Sequence, residues 1–214
     1  MFKKIKKRKS HTMITMKLDI IAKDAEGKII KKYCNDGDLF MDNFGYWLAA
    51  ILKQHATVSG GFADATEYTS KDTAGASQGL GGSGVSTSTY TFHSPLIAHV
   101  NNLVLQNVIG TGTTAASHAQ YALSGDILGN EAITVPAIAV GQGASLQQIL
   151  ITFGATHVLA SGGTVAESTL NIYAYKNASP PTLIQIQIAR DTFTGIVIPV
   201  GGSITINYTL QFNA

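Results

Sequence analysis

The segment Ser203–Phe212 alternates polar and apolar residues without a break, reading SITINYTLQF. Successive side chains of a β-strand point to opposite faces of the sheet, so this alternation separates two sets of residues. The apolar set is Ile204, Ile206, Tyr208, Leu210 and Phe212, and the polar set is Ser203, Thr205, Asn207, Thr209 and Gln211. The pattern predicts a strand with one face in a core and the other in water or against a polar partner. Because an exposed edge strand ordinarily carries a blocking charge, we expect this uncharged strand to be central in its sheet or covered by another subunit.

The same period of two recurs upstream, and turn signals separate the segments that carry it. The further apolar sets are Ile149, Ile151, Phe153; Leu170, Ile172, Ala174; and Ile184, Ile186, Ile188. Residues 14–22 and 28–33 are also strand-like, and DAEG at 24–27, SGGT at 161–164 and PVGG at 199–202 are turn signals. We therefore predict an all-β protein, a jelly-roll-like antiparallel β-sandwich that forms a single domain over residues 13–214.

Two segments depart from this pattern. Residues 39–54 carry apolar residues at three- and four-residue spacing, which predicts one N-terminal amphipathic helix. Phe40, Phe44 and Trp47 belong to its apolar face, which packs either on the core or against another subunit. Residues 57–88 are rich in Gly, Ser and Thr and poor in apolar residues, which predicts a long loop. Loops of this length in compact domains usually carry function or are ordered by a neighbouring subunit.

Positive charge is concentrated at the N-terminus. Residues 1–12 form a flexible basic arm with six cationic side chains and no acid, namely Lys3, Lys4, Lys6, Lys7, Arg8 and Lys9. The remaining chain has 15 − 6 = 9 basic residues against 13 acidic ones, a net charge of −4. Such an arm binds an anionic partner, such as nucleic acid, a membrane surface or an acidic groove, or it is a solvated tail. A further alternative is that the start is over-long and true initiation is at Met13 or Met16.

Charge is scarce elsewhere in the chain. Charged residues make up 13% of the sequence, about half the usual share, and this favours a protein that associates with copies of itself. Arg190 is the only arginine outside the arm. With its neighbour Asp191 it forms either a surface ion pair of low energy or a contact with another subunit.

Motifs of catalysis, cofactor binding and metal binding are missing or out of context. GLGGSG at 79–84 fits G-x-G-x-x-G but lacks the preceding strand and following helix of a dinucleotide site. The six histidines show no metal-ligand spacing, and the single cysteine, Cys34, excludes an internal disulfide and a cysteine-based zinc site. No segment approaches the ~20 apolar residues of a membrane span. We therefore expect no enzyme activity, no cofactor, no metal ion and no membrane partner.

Several short motifs, taken in order, resemble a group of virion structural proteins encoded by tailed phages and archaeal viruses. They are NF-x-x-x-LAAIL at 43–52, KDTAG at 71–75, VIGTGTTAAS-x-x-x-YAL at 108–123, SGGTVAESTLNIYAY at 161–175, IARDTFTGIVIPVGG at 188–202 and ITINYTLQF at 204–212. The resemblance covers residues 38–212 as a succession of motifs, and these are structural, so it supplies no catalytic residue. The group usually reads E-x-G-L-Y after GGTV, whereas this chain has Glu167-Ser-Thr-Leu170. The glycine is missing, and a different turn geometry is expected there.

The residues and the resemblance together imply a non-enzymatic virion subunit that is made in the host cytoplasm. It would assemble with copies of itself and with other virion proteins in a capsid or a tail. The basic arm would contact packaged nucleic acid, and Phe40, Phe44, Trp47 and Arg190 would contact neighbouring subunits. The alternative is a carbohydrate- or receptor-binding β-sandwich module at a phage tail tip, with exposed tyrosines as the sugar platform.

Overall fold

The structure is a computed structural model that describes residues 14–35, 44, 69–79, 105–117, 119–133, 137–142, 147–176 and 182–213. These residues form eleven β-strands. The strands are β1 (Ile14–Lys23), β2 (Ile29–Asn35), β3 (Thr69–Lys71), β4 (Ser77–Gly79), β5 (Leu105–Gly110), β6 (Ile127–Ile133), β7 (Ala137–Gln142), β8 (Gln147–Leu159), β9 (Gly163–Lys176), β10 (Thr182–Ile198) and β11 (Gly202–Asn213). The prediction of an all-β protein is confirmed for this part of the chain.

The strands form two main sheets and a small hairpin. The order is β2-β1-β11-β8-β7 in the five-stranded sheet and β10-β9-β5-β6 in the four-stranded sheet, and β3 pairs with β4. Every strand pair among them is antiparallel. Both sheets contribute buried apolar residues to one core, so the architecture is a β-sandwich.

Strand β11 lies in the middle of the five-stranded sheet, between β1 and β8. Its apolar set faces the core, since Ile204, Ile206 and Tyr208 are fully buried, whereas the polar residues between them stay half-exposed. The strand carries no edge-blocking charge because strands pair with it on both sides. Of the two positions expected for this strand, central in its sheet or covered by another subunit, the structure gives the first.

Tight turns join the two sheets at one end of the sandwich. The carbonyl of Leu159 accepts hydrogen bonds from the N–H groups of Gly162 and Gly201, each at 3.0 Å. The first belongs to the turn between β8 and β9 and the second to the turn between β10 and β11. Gly162 and Gly201 have φ angles of +67° and +74°, which side chains rarely allow. The turns predicted at 161–164 and 199–202 are thereby confirmed.

The turn predicted at 24–27 is also present, and its geometry follows from one aspartate. The Asp24 carboxylate accepts a hydrogen bond from Lys28 N at 2.7 Å, and the Asp24 carbonyl accepts one from Gly27 N at 3.1 Å. Aspartate side chains favour such turns because they bond to the backbone a few residues on. The turn sets the pairing of β1 with β2.

Other sequence predictions meet the structure only in part. Within segment 57–88, predicted as a loop, residues 69–79 form the β3–β4 hairpin, and the rest lies outside the described residues. Of the helix predicted at 39–54, only Phe44 is described, and it is half-buried and packs against the core. Glu167-Ser-Thr-Leu170, where a changed turn was expected, is a continuous part of β9. The arm at 1–12 lies outside the described residues.

Because β11 is central in its sheet, we expect that truncating a side chain on its buried face lowers the free energy of unfolding strongly. We expect Ile206→Ala to lower the free energy of unfolding by about 2–5 kcal/mol, because it removes buried methyl groups and leaves a cavity. The control is Val158→Ala on the neighbouring strand, where the side chain is 68% exposed and the cost is within about 0.5 kcal/mol. Urea unfolding followed by circular dichroism measures both, and equal losses would contradict the position assigned to β11.

Candidate functional site

A buried ion pair lies on the outer face of the four-stranded sheet, the face turned away from the core. Glu167 of β9 and Arg190 of β10 lie on adjacent strands, and Arg190 Nη2 is 2.7 Å from Glu167 Oε2. Arg190 Nε donates a second bond to the same oxygen at 3.2 Å. Both side chains are 0% exposed. Since buried charges are tolerated only where further hydrogen bonds satisfy them, the other contacts of this pair decide its role.

Glu167 binds the loop that joins β5 to β6, residues 111–126. Its Oε1 accepts hydrogen bonds from the N–H groups of Gly112 and Gly125, both at 2.8 Å, and its Oε2 accepts one from Ser124 N at 3.0 Å. A Cβ at Gly112 would lie 2.3 Å from Glu167 Oε1, and one at Gly125 would lie 2.3 Å from Gly112 N. Only glycine allows the loop backbone to approach the carboxylate this closely.

Arg190 binds the same loop at three further points. Nη1 donates to Gln120 Oε1 at 2.6 Å, and Nη2 donates to Ser124 Oγ at 2.8 Å and to the Thr114 carbonyl at 3.1 Å. The planar guanidinium thus places several donors on one loop, which the ammonium of a lysine does not do in this geometry. We call Glu167, Arg190 and their loop partners the ion-pair cluster.

The electrostatics of the cluster keep Glu167 ionised. Burial alone would raise the pKa of this carboxyl group. Hydrogen bonds from Ser124 N–H, the Arg190 side chain and the N–H groups of Gly125 and Gly112 outweigh burial and bring the pKa below its ordinary value of 4.5. Both oxygens are engaged by donors of the protein itself. Glu167 is therefore suited to fixing the loop rather than to accepting a proton from a substrate.

The β3–β4 hairpin lies at the edge of the same sheet. Asp72 forms a bridge with Ile186 of β10, and Thr73 N donates to the Gln185 carbonyl at 3.0 Å. The Asp72 carboxylate also accepts a bond from Ala74 N at 3.0 Å, which shapes the hairpin turn. The KDTAG motif therefore builds a turn that docks on β10.

Tyr121 connects this hairpin to the ion-pair cluster. A Cβ at Gly75 would lie 2.8 Å from the Tyr121 ring, so the tyrosine packs directly on the hairpin backbone. Lys71 Nζ lies 5.3 Å from the centroid of the same ring, within the range of a cation–π contact. The hairpin and the 111–126 loop thus form one layer over the outer face of the four-stranded sheet.

Neutral polar side chains fill the part of this face beyond the ion pair. Gln106 Oε1 accepts hydrogen bonds from Tyr173 Oη, at 3.2 Å, and from Gln185 Nε2. In the next positions, both amide atoms of Gln187, Asn171 Oδ1 and Thr169 Oγ1 are buried and have no hydrogen-bond partner among the described residues. A buried polar atom left without a partner costs roughly 1–3 kcal/mol. The cover over this face is therefore held by the ion-pair cluster and the hairpin rather than by these residues.

Four of the motifs that carry the sequence resemblance meet on this face. Asp72 comes from KDTAG, Gly112 from VIGTGTT, Glu167 from GGTVAEST and Arg190 from IARD. The motifs are far apart in sequence, but they supply the hairpin, the loop, the carboxylate and the guanidinium of one structure. Segments far apart in the chain therefore meet at one place on the outer face of the four-stranded sheet.

A second buried polar group links the two sheets through the core. His157 of β8 is 1% exposed, and its Nε2 lies 2.6 Å from Asn107 Oδ1 of β5. The Asn107 amide donates to Ser168 Oγ and to the Thr169 carbonyl, each at 2.9 Å, so its oxygen accepts the proton of His157 Nε2. His157 Nδ1 is buried without a partner beside Gly129, and burial lowers the pKa of this histidine from 6.5 to about 4.

The structure places one predicted site residue differently from the sequence expectation. We predicted Arg190 at a subunit contact or in a surface pair with Asp191. In the structure Arg190 is 0% exposed and Asp191 is 5% exposed, and Arg190 binds the 111–126 loop of the same chain. A lone arginine in an apolar strand needs an acidic partner, and Glu167 is the only acid of β9, so this signal was available in the sequence. His157 carried no comparable signal.

Of the remaining predicted site residues, the structure describes only Phe44. Phe44 packs on the core, and the other predicted residues lie outside the described part of the chain, namely Lys3, Lys4, Lys6, Lys7, Arg8, Lys9, Phe40 and Trp47. Among the described residues, no group of three or more His, Cys, Asp or Glu side chains is arranged to hold a metal ion. In that same part of the chain, no helix has the length and apolar character needed to cross a bilayer.

No protein-family model, curated protein or solved structure matches the chain.

The ion pair predicts that substitutions of Glu167 and Arg190 change the free energy of unfolding non-additively. Glu167→Gln and Arg190→Met should each lower the free energy of unfolding by about 3–5 kcal/mol, because each leaves a buried charge without its partner. The double variant should lose less than the sum, since no uncompensated charge then remains. Asp126→Asn, at an exposed position of the same loop, is the control and should change stability by less than about 0.5 kcal/mol. Additive losses in urea unfolding would contradict the coupling.

The buried histidine predicts that acid destabilises the fold. Between pH 6.5 and about 4 the unfolded chain binds a proton at His157 and the folded chain does not. The free energy of unfolding therefore falls as the pH drops through this window, by roughly 3 kcal/mol in total. Glu167, whose folded pKa is below 4.5, adds its own loss only at lower pH.

The matched variant is His157→Gln, whose amide can donate to Asn107 but does not titrate. Its stability should vary less between pH 6.5 and 4.5 than that of the parent chain. Chemical unfolding at several pH values measures the difference. Parallel curves for the two proteins would show that His157 titrates normally in the folded state.

Proposed function

We propose that the chain is a non-enzymatic structural subunit of a virion, which assembles with copies of itself in a capsid or a tail. The observation that carries this proposal is the uncharged part of the five-stranded sheet that β8 and β11 form, whereas the charged residues of this sheet lie on β1 and β2. Strands β8 and β11 contain no Lys, Arg, Asp or Glu. Their outer face bears threonine pairs, in which Thr152 bonds Thr209 at 3.1 Å and Thr156 bonds Thr205 at 2.8 Å. A rigid surface with so few charges suits a subunit packed among copies better than a monomer.

The sequence resemblance to virion structural proteins supports the same proposal. Its motifs coincide with the residues that anchor the loop and the hairpin, including Asp72, Gly112, Glu167 and Arg190. The chemistry of the cluster agrees with a structural role, since the Glu167 oxygens and the Arg190 donors all bind groups of the protein itself. No catalytic step is proposed for them.

We also propose a jelly-roll winding for the sandwich. Strands β6 and β7 lie in different sheets, and so do β8 and β9, and β10 and β11. The chain thus passes between the two sheets three times, and such repeated passage between two packed sheets supports a double-sheet winding of the jelly-roll kind.

The basic arm supplies the contact with packaged nucleic acid in this proposal. Its six cationic side chains precede β1 in the sequence, and β1 begins at Ile14, opposite Phe212. Neutralising six phosphates gives binding that is independent of sequence and falls steeply with salt, with a logarithmic slope of about −5. Other virion proteins and the copies themselves are the remaining partners.

The proposal predicts regular assembly and salt-sensitive retention of DNA by the arm. The full chain should form large particles, tubes or rings in light scattering and negative-stain images. Deleting residues 1–12 should leave the fold and its unfolding midpoint unchanged and should abolish most DNA retention at low salt. A variant with the six arm cations changed to Gln keeps the length of the arm and serves as the matched control.

Two results would contradict the proposal. A chain that stays monomeric at high concentration would exclude a self-assembling subunit. Salt-sensitive DNA retention that persists in both arm variants would exclude the arm as the contact with nucleic acid.

A further inference from the structure

The hairpin and the 111–126 loop lie over a face of mainly polar side chains. Strand pairing places Gln106 of β5, Asn171 of β9 and Gln187 of β10 side by side in a row across three neighbouring strands. Thr169 lies two residues along β9 from Asn171 and therefore on the same face. Val108, paired with Thr169, is a buried apolar residue beside them. The core of the sandwich lies on the other face of this sheet, so lifting the covering layer leaves that core closed.

Four polar atoms on this face are buried without a hydrogen bond. They are Gln187 Nε2, Gln187 Oε1, Asn171 Oδ1 and Thr169 Oγ1, and none has a partner in the described part of the chain. Gln187 and Thr169 are fully buried, so water does not reach them in this arrangement. Each atom would gain a hydrogen bond to water if the layer lifted, because a buried polar group without a partner keeps the cost of its lost hydration. These atoms therefore favour an open arrangement.

Two sets of contacts oppose opening, and Gln187 lies between them on β10. On one side the hairpin bonds to the strand through Thr73 N and the Gln185 carbonyl, at 3.0 Å. On the other side the loop bonds to Glu167 and Arg190. When the loop lifts, the ion pair stays together because both of its residues belong to the sheet, and water replaces the loop as its hydrogen-bond partner. Exchanging such bonds for bonds to water costs far less than exposing an apolar core.

We propose that the hairpin and the loop form a lid, residues 69–79 and 111–126, that opens as one unit while both sheets stay folded. The closed arrangement is the main state, and the open one is a minor state in equilibrium with it. Tyr121 makes the lid a unit, since its ring belongs to the loop and packs against Gly75 of the hairpin. Units with few buried apolar contacts open in this way below the free energy of global unfolding. The inference concerns the sandwich itself and does not depend on the proposed function.

Hydrogen exchange of the full-length chain measures the opening. The reporters are the lid N–H groups that bond to the sheet, namely those of Thr73, Gly112, Ser124 and Gly125. Their protection should be at least about a hundredfold lower than that of the N–H groups of β11, which lies between two strands. Equal protection in the lid and in β11 would overturn the inference, because the lid would then open only when the whole chain unfolds.

Removing the unpartnered atoms should stabilise the closed lid. Gln187→Met and Thr169→Val replace them at nearly constant side-chain volume, and each should slow exchange at the reporters by about tenfold. Gln106→Met is the matched control from the same row. Gln106 Oε1 accepts bonds from Tyr173 and Gln185, so its loss should not slow exchange. Unchanged or faster exchange in Gln187→Met and Thr169→Val would contradict the inference, since these side chains would then not oppose the closed lid.

A second pair of variants tests whether the lid moves as one unit. Tyr121→Ala removes the ring that joins the loop to Gly75, and Thr73 should then exchange about tenfold faster than Gly112 and Gly125. Tyr121→Phe keeps the ring and should keep the equal protection of the reporters that is expected for the parent chain. Thr73 protection that Tyr121→Ala leaves unchanged would rule out joint opening. Circular dichroism and urea unfolding establish that every variant is folded.

Discussion

The ion pair between Glu167 and Arg190 determines how the four-stranded sheet is covered. Neither charge is stable in the interior without the other, and neither is satisfied without the 111–126 loop. The loop is therefore restricted to one conformation, and it carries Tyr121, on which the β3–β4 hairpin packs. Through these contacts one pair of side chains, on β9 and β10, positions the loop between β5 and β6 and the β3–β4 hairpin.

The two sheets use polar groups of different kinds for different tasks. On the outer face of the four-stranded sheet, charges hold irregular backbone, which has many N–H groups to satisfy. Between the sheets, the neutral pair His157 and Asn107 interrupts an otherwise apolar core. A neutral pair suits this place because burying a full charge costs far more than burying a neutral polar group that is hydrogen-bonded.

Alternation predicted strands in both sheets, but it did not show where the second face of a strand is buried as well. Strand β11 alternates strictly because one face is in the core and the other is open, so its place could be inferred from Ile204 to Phe212. In β9, by contrast, residues Val165–Ile172 are buried on both faces, and Glu167 lies in a strand that shows no alternation around it. The site was missed because its residues come from four segments, and only the folded sheet brings them together. The single arginine of this part of the chain, Arg190, could have indicated a buried ion pair with Glu167. It could not have indicated which residues of the 111–126 loop bind that pair.

The pairing of β1 with β11 has a consequence for how the protein is made. Ile14 lies opposite Phe212, so the centre of the five-stranded sheet joins segments from nearly opposite ends of the chain. During synthesis the early strand leaves the ribosome with its principal neighbour still untranslated. The apolar face of β1 therefore stays exposed until β11 has been synthesised, and long-range pairing of this kind is slow to form. The protein therefore completes its core only when the last strand is released, which makes the interval before release the period of greatest risk of misassembly.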